Sequence, residues 1–192
     1  MGGSVRALHL GMADTEDYDQ ESALQETNAA VASLVALSPG MRVADAGCGR
    51  AASARWLADN DGCVVVGLNL EPSQLMGMPP VQKSGAHGRV ELVVADFHEM
   101  PLRDASCDVV WLLESVSHTY DRSTLWSEVA RVLRPDGTLV VAEAFTTHRA
   151  SWRGLATGGA PVPLNRYSNC HRGARNTPRY LKATSVTIKD CD

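Results

Sequence analysis

The sequence has 192 residues, of which 44% are hydrophobic and 21% charged, and its formal net charge is −4 at pH 7. These values are typical of one globular domain and do not suit a protein that binds nucleic acid through a basic surface. No stretch approaches the ~18 consecutive apolar residues of a membrane-spanning helix, and the N-terminus lacks the apolar segment of a secretory signal. The five cysteines form neither a C-x-x-C pair nor a zinc-like spacing, so we expect a cytoplasmic protein without a metal site.

The first segment with helical periodicity covers about Glu21–Leu37, where apolar side chains recur every three to four residues. Ser38-Pro39-Gly40 follows and should end this helix, because proline and glycine interrupt helices. Residues 1–40 are therefore predicted to form an N-terminal unit that precedes the main domain.

Residues 41–145 alternate apolar runs with helical stretches, a pattern typical of an α/β fold with a Rossmann-like parallel sheet and helices on both faces. The predicted strands cover residues 41–46, 63–68, 90–95, 107–113 and 138–145. The second helix is expected to start at Arg50, and the third near the capping residues Asp121 and Ser123, ending at Pro135-Asp136-Gly137. A crossover helix over residues 72–88 should be broken early by Gly77 and Pro79-Pro80.

Residues 146–192 form the third predicted region, a basic and irregular segment with a partial last strand. Residues 144–189 contain eight basic residues and no acidic one, whereas residues 1–143 contain ten basic and twenty acidic ones. The segment is either a poorly ordered region or lid, or a basic cover over an anionic substrate. A short helix near Arg179–Ala183 and a strand at about Ser185–Lys189 are expected within it.

The stretch VADAGCGR joins the first strand to a glycine-containing turn and then to a helix. Glycines let the backbone approach a ligand, and Gly47-x-Gly49-x-x-Ala52 also satisfies the dinucleotide-binding fingerprint. A carboxylate directly before the glycines, at Asp45, suits a cationic ammonium group and would repel a pyrophosphate. The pattern therefore favours a cationic ligand over a dinucleotide, and both stay open.

Two further strand ends bear on the same choice. Asn69 stands where a nicotinamide-binding protein would have Asp or Glu for the ribose. Asp96 can accept the exocyclic N–H of adenine, and Phe97 can flank the base. These residues favour a cationic, adenosine-bearing ligand, with an NAD-dependent oxidoreductase as the weaker alternative.

Four stretches, in this order over residues 41–145, carry a resemblance to a known family: VADAGCGR, VGLNLEPSQL, VVADFHEMPLRDASCDVVWLLESVSH and WSEVARVLRPDGTLVVAE. They resemble the class I S-adenosylmethionine-dependent methyltransferases, in particular the small-molecule branch of sterol, tocopherol and terpenoid C-methyltransferases and sugar and natural-product O-methyltransferases. The resemblance implies the class I strand order, S-adenosyl-L-methionine as cofactor, and O- or C-methylation of a small molecule in secondary metabolism. LHLGMAD at residues 8–14 resembles the N-terminal lid of this branch, from which Tyr18 would contact the cofactor.

The same resemblance implies a cofactor site at the ends of the predicted strands. The residues implied for the methionine part are Asp45, Gly47, Cys48 and Gly49. The residues implied for the ribose and adenine are Asn69, Leu70, Gln74, Asp96, Phe97 and Leu113. We expect Cys48 to be a passive small residue, because a reactive thiol needs an electropositive setting.

His118 and Glu143 are the candidate catalytic residues, at the ends of the fourth and fifth predicted strands. A histidine with an ordinary pKa near ~6.5 can accept the proton of a hydroxyl or an acidic carbon, and a carboxylate can orient it. The alternatives are a strand-end histidine bonded to a backbone carbonyl and a solvated or tail-paired carboxylate. The related cyclopropane-forming branch has Glu directly before this histidine, where this chain has Ser117, so cyclopropanation is not expected.

The sequence is short for this branch, so an incomplete set of C-terminal strands and an incomplete acceptor pocket stay open. The alternative function is therefore a truncated or non-catalytic S-adenosylmethionine-binding protein that acts as a partner or scaffold through its unpaired sheet edge. The expected partner is a small-molecule acceptor, and a homodimer stays open.

Overall fold

The computed structural model describes residues 20–76, 88–146 and 179–187. The predicted lid at 8–14, Tyr18 and the basic residues 147–178 lie outside the described residues. No helix in the described ranges is long and apolar enough to cross a membrane. The helices are α1 (Gln20–Ala32), α2 (Ala52–Asp61), α3 (Pro72–Leu75) and α4 (Arg122–Val132), and a 3₁₀ turn covers Val116–His118. The strands are β1 (Arg42–Ala46), β2 (Val64–Asn69), β3 (Arg89–Val94), β4 (Cys107–Leu113), β5 (Leu133–Thr146) and β6 (Arg179–Thr187).

The strands form one sheet in the order β3-β2-β1-β4-β5-β6. β1 to β5 are parallel, and β6 pairs antiparallel with β5. The Rossmann-like parallel sheet and the class I order predicted from the sequence are therefore confirmed. The strand order reverses between β1 and β4, and open α/β sheets bind ligands beyond the carboxyl ends of the strands at such a point.

Apolar side chains bury both faces of the sheet, which explains why the parallel strands read as continuous Val and Leu runs. One core contains Val31 of α1 and Leu57 of α2, packed with strand residues such as Val43 and Trp111. The opposite core contains Leu125, Val129 and Val132 of α4 with other strand residues. Helices thus cover both faces, as predicted.

The end of α1 and the start of α2 differ from the sequence prediction. α1 ends at Ala32 rather than Leu37, because the next turn changes to tighter hydrogen bonds, from Leu34 N to Val31 O and from Val35 N to Ala32 O. α2 begins at Ala52 rather than Arg50, since Ala51 adopts a left-handed conformation with φ of 58°. α3 is a single turn that ends at Leu75, in agreement with a crossover helix that is broken early.

The third helix ends slightly before the stop that Pro135-Asp136-Gly137 predicted. α4 ends at Val132, and β5 starts at once, with Leu133 opposite Cys107 and Thr138 opposite Val109. Residues 134–137 therefore bulge out of the ladder. The N-terminal prediction holds, because the Asp121 side chain accepts hydrogen bonds from two backbone N–H groups of the first turn.

The C-terminal strand also corrects the sequence prediction. Arg179–Ala183 is not a helix, and one strand, β6, extends over the whole of Arg179–Thr187. Its backbone pairs with β5 from Thr138 to Thr146. Pairing along a long neighbouring strand outweighs the weak helical preference of this segment.

The loop between β3 and β4 is fastened to α4 by Arg131. Its guanidinium donates to the carbonyls of Met100, at 2.9 Å, and Leu102, at 2.8 Å, and to the carboxylates of Glu128 and Asp104, both at 2.7 Å. Hydrogen bonds to these two carboxylates raise the pKa of Arg131. The loop that contains Asp96 is thus held against α4 by hydrogen bonds.

Candidate functional site

A cleft of about 370 Å³ opens at the carboxyl ends of β1 to β4. All the cofactor residues predicted at the strand ends line it: Asp45, Gly47, Cys48, Gly49, Asn69, Leu70, Gln74, Asp96, Phe97 and Leu113. His118 lines it too, whereas Glu143 is not among the lining residues. Further lining residues that the sequence analysis did not assign include Arg50, His98, Ser115 and Tyr120. The structure brings the predicted residues together, and their roles stay predictions.

Asp45, at the floor of the cleft, is 2% exposed. Burial raises the pKa of its carboxyl to about 7, and a hydrogen bond from the Ala54 backbone opposes this shift. Its Oδ2 atom has no hydrogen-bond partner among the described residues. A buried acceptor without a partner is costly, so this oxygen is ready for a donor, and a cationic N–H group suits it best.

Trp111 stands opposite Asp45 in the ladder between β1 and β4. Its side chain is fully buried, and the indole Nε1 atom also lacks a hydrogen-bond partner within the described ranges. Asp45 therefore neighbours the apolar core to which Trp111 belongs.

The glycine loop is closed tightly onto the sheet. Gly47 has φ of 85°, and a Cβ atom at this position would lie 2.6 Å from Cβ of Ser115. The N–H groups of Gly47 and Cys48 both donate to the carbonyl of Leu68, each at 2.9 Å. A phosphate-binding loop offers such N–H groups to its ligand. Here these two groups are used inside the protein and are not offered to a phosphate.

The Cys48 thiol is held in its protonated form. Burial, followed by the charge of Asp45, raises the pKa of this thiol well above its ordinary value. Its Sγ atom packs on Gly67 of β2, where a Cβ atom would lie 3.0 Å from the sulfur. Such a thiol is a poor nucleophile and serves as a small packing group.

The two residues predicted for the ribose hydroxyls are hydrogen-bonded to each other. Asn69 Nδ2 donates to Gln74 Oε1 at 3.0 Å and to the carbonyl of Glu71 at 3.1 Å. Leu70, between them in the chain, is 66% exposed and offers an apolar surface to the cleft. A paired amide group can both donate to and accept from a diol.

Asp96 belongs to a network that the sequence analysis did not find. His98 donates to Asp96 Oδ1 from its backbone N–H at 2.8 Å and contacts the same oxygen through Nδ1 at 2.6 Å. Nε2 of His98 lies 2.7 Å from Thr119 Oγ1, and the Tyr120 hydroxyl donates to Asp96 Oδ2 at 3.3 Å. Burial raises the pKa of Asp96, but the hydrogen bonds and charge of His98 and the Tyr120 hydroxyl outweigh it, so the net shift is downward. The carboxylate is therefore ionised and firmly oriented.

His118 ends the 3₁₀ turn after β4, and its side chain is exposed. Glu143, on β5, is buried, and its Oε2 atom accepts a hydrogen bond from the backbone N–H of Ser117 at 3.2 Å. The carboxylate thus holds the main chain next to His118. Glu114, which precedes this turn, has φ of 50°, a conformation that is strained for a residue with a side chain.

In the part of the chain that the structure describes, no group of three or more His, Cys, Asp or Glu residues is arranged to hold a metal ion. The acidic residues of the cleft are instead distributed one to a strand end. This distribution suits an organic ligand that spans several strands.

The known proteins that this chain resembles agree with the site. The family described as "Methyltransferase domain" matches residues 44–141. The chain is 33% identical over 144 residues to glycine/sarcosine/dimethylglycine N-methyltransferase of Actinopolyspora halophila, an alignment that covers 74% of this chain and 26% of that protein. It is 35% identical over 137 residues to 27-O-demethylrifamycin SV methyltransferase of Amycolatopsis mediterranei, covering 71% of this chain and 50% of that protein. The chain thus spans a quarter to a half of the length of these relatives.

Among solved structures, the [4+2]-cyclase SpnF superposes with a TM-score of 0.65 at 24% identity, covering 73% of this chain and 52% of that one. This likeness is one of fold alone. It agrees with the Rossmann-like sheet and leaves the reaction to be argued from the site.

Proposed function

We propose, from the premise that this chain belongs to the family of methyltransferase domains, that it transfers a methyl group from S-adenosylmethionine to a small-molecule acceptor. The observation that carries the proposal is the Asp45 carboxylate, whose buried Oδ2 faces no partner among the described residues. A ligand with a cationic nitrogen meets that need, whereas the pyrophosphate of a dinucleotide would be repelled.

The residues of the cleft fit S-adenosylmethionine from end to end. Asp45 would hold the ammonium group of the methionine part, next to the glycine loop. The amide pair of Asn69 and Gln74 would meet the ribose hydroxyls. At the far end, Asp96 would accept a hydrogen bond from the amino group of adenine. Leu70 would cover one face of the ring. When bound, this cofactor supplies an electrophilic methyl group on a sulfonium centre.

On the acceptor side, the enzyme would contribute mainly positioning, together with a base. His118 has an exposed imidazole at the rim of the same cleft, where it would take a proton from a hydroxyl or an acidic carbon. Glu143 would act as a positioning residue, since its carboxylate holds the Ser117 N–H and with it the turn that carries His118. This role differs from direct contact with the imidazole.

The acceptor class is proposed from the relatives. One acts on glycine, sarcosine and dimethylglycine, and another on 27-O-demethylrifamycin SV, by their names. We extend the proposal to a natural-product, lipid or sugar-type acceptor that is methylated on O, C or N. We further propose a cytoplasmic enzyme of secondary metabolism, with a homodimer as its candidate assembly.

Calorimetric titration of the full chain with S-adenosylmethionine, S-adenosylhomocysteine and NAD tests the cofactor. We expect heat of binding from the first two and none from NAD. Binding of NAD without binding of either sulfur compound would refute the proposal.

Transfer of a radiolabelled methyl group to a panel of amines, hydroxylated aromatics, sugars and prenyl lipids then tests the activity. We expect His118→Ala to lower turnover by about 100-fold, the usual share of a general base, and to leave the affinity for S-adenosylhomocysteine unchanged. Cofactor binding without turnover on any acceptor would favour the non-catalytic alternative.

A further inference from the structure

His98 has no part in the function proposed so far, although it lies at the centre of the polar network in the cleft. Its side chain is buried, and the residue as a whole is 6% exposed. The imidazole stands between two aromatic rings, at centroid distances of 4.7 Å from Phe97 and 3.9 Å from Tyr120. Both ring nitrogens have short contacts, to Asp96 Oδ1 at 2.6 Å and to Thr119 Oγ1 at 2.7 Å.

The chemistry of the partners fixes the roles of the two nitrogens. An ionised carboxylate can only accept, so Nδ1 carries a proton and donates it to Asp96. The Thr119 hydroxyl can donate or accept, so it satisfies Nε2 in either state of the ring. The backbone N–H of His98 donates to the same Oδ1 atom at 2.8 Å.

Two donors on one oxygen leave the other oxygen of Asp96 for a ligand. Oδ2 has only a long contact of 3.3 Å, from the hydroxyl of Tyr120, whose side chain is highly exposed. Asp96 and His98 both line the cleft. A ligand donor can therefore replace the Tyr120 hydroxyl on Oδ2, while Oδ1 stays bound to His98.

We propose that His98 is a positioning residue that fixes Asp96 with Oδ2 toward the purine and thereby makes the site prefer a 6-amino purine to a 6-oxo purine. This inference rests on the proposed function. A fixed anionic acceptor gains a hydrogen bond from an amino group and is repelled by a carbonyl oxygen. A carboxylate without the His98 ring could rotate away from the carbonyl and would tolerate both purines.

The experiment compares calorimetric affinities for S-adenosylhomocysteine and S-inosylhomocysteine, which differ in the 6-amino and 6-oxo groups. His98→Phe keeps an aromatic ring between Phe97 and Tyr120 but removes both nitrogens. His98→Asn places an amide nitrogen near the position of Nδ1 and keeps the donor. We expect the wild-type preference for the adenosine compound to fall at least about tenfold in His98→Phe and to be mostly retained in His98→Asn.

Thr119→Val is the matched control, because it removes the partner of Nε2 and leaves the contact with Asp96. It should change the preference by less than about twofold. A thermal melt checks that each variant is folded, and His98→Ala serves as the donor-free variant if the phenylalanine ring does not fit.

A merely structural His98 would lower the melting temperature and weaken both ligands by the same factor, and an unchanged preference in His98→Phe would overturn the inference. Equal losses in His98→Asn and His98→Phe would overturn it as well. A wild-type protein that binds both compounds equally refutes this inference and leaves cofactor binding intact. A wild-type protein that binds neither refutes the proposed function, and the inference with it.

Discussion

At the scale of single residues, the buried carboxyl of Asp45 lowers the stability of the protein when no ligand is bound. The carboxyl is 2% exposed, and burial raises its pKa to about 7. Near neutral pH the folded protein therefore holds a carboxyl that is half protonated, and a cationic ligand would favour the ionised form.

We expect the affinity for S-adenosylhomocysteine to rise between about pH 6 and 7 and to level off above that, because the ammonium group binds the ionised carboxylate. Asp45→Asn should remove this pH dependence and weaken binding about 10- to 100-fold. Titration calorimetry at several pH values measures both effects, with Asp59→Asn, an exposed residue of α2, as the control.

The stability of the ligand-free protein should fall as pH rises, whereas the affinity for the ligand increases. Because the pKa of Asp45 is higher in the folded than in the unfolded chain, stability is lost as pH rises from about 4 to about 7. Asp45→Asn should thus raise the melting temperature more at about pH 8 than at about pH 5. An equal effect at both values would contradict the burial of a titrating Asp45.

The residue scale also marks the limit of what the sequence could predict. Asp45 and Asp96 were found because acids that end predicted parallel strands must converge on one edge of the sheet. His98 was missed, since no local pattern shows that its ring is buried in the cleft in contact with Thr119, which lies 21 positions away on another loop. The local signal was the Asp-x-His spacing, in which the backbone of the second residue after an acid returns to its carboxylate.

At the scale of elements, the glycine loop requires glycine at position 47 for two separate structural reasons. Gly47 has a positive φ, and it also leaves no room for a Cβ atom next to Ser115. Gly40 has the same φ of 85° but nothing within 4 Å of a Cβ atom. Comparing substitutions at the two glycines therefore distinguishes the effect of backbone strain from that of steric contact with Ser115.

Gly47→Ala and Gly40→Ala should differ accordingly. Each should lose about 1–2 kcal/mol from the strained backbone, and Gly47→Ala should lose more because Ser115 must move. Only Gly47→Ala should weaken the binding of S-adenosylhomocysteine. Chemical denaturation and calorimetry test this, and equal losses of affinity in both variants would contradict a direct role of the loop.

Element types were predictable where the pattern was strong, and boundaries were not. The parallel strands follow from their Val and Leu runs, and the predicted β4 range of residues 107–113 agrees with Cys107–Leu113. The last strand was mistaken in part for a helix, because its pairing with β5 is a tertiary contact without a local signal. The start of α2 shifted because Ala51 takes a conformation that the sequence would assign to glycine.

At the scale of the whole molecule, β6 is the terminal strand of the sheet and covers one side of β5. Without it, β5 would present its backbone groups from Thr138 to Thr146 to other chains. The cleft, in contrast, is built by β1 to β4, on the other part of the sheet. The pairing of β5 with β6 and the cleft thus lie on different parts of the sheet.

A chain that ends at Thr146 should melt at a lower temperature than the full chain and should associate in a concentration-dependent manner. Size-exclusion chromatography with light scattering measures the association. A chain that ends at Thr187 keeps β6 and is the control. If the shorter chain stays monomeric and equally stable, β6 does not shield the backbone groups of β5.

The pairing of Asp45 with Trp111 also gives the protein an intrinsic optical reporter. The sequence has four tryptophans, and Trp111 is fully buried, in register with the titrating carboxyl. A charge beside an indole in a medium of low dielectric constant exerts a strong field on it, and indole emission responds to such fields. With the other tryptophans replaced by phenylalanine, the emission wavelength of Trp111 would report the ionisation of Asp45 and the binding of a cation without any added label.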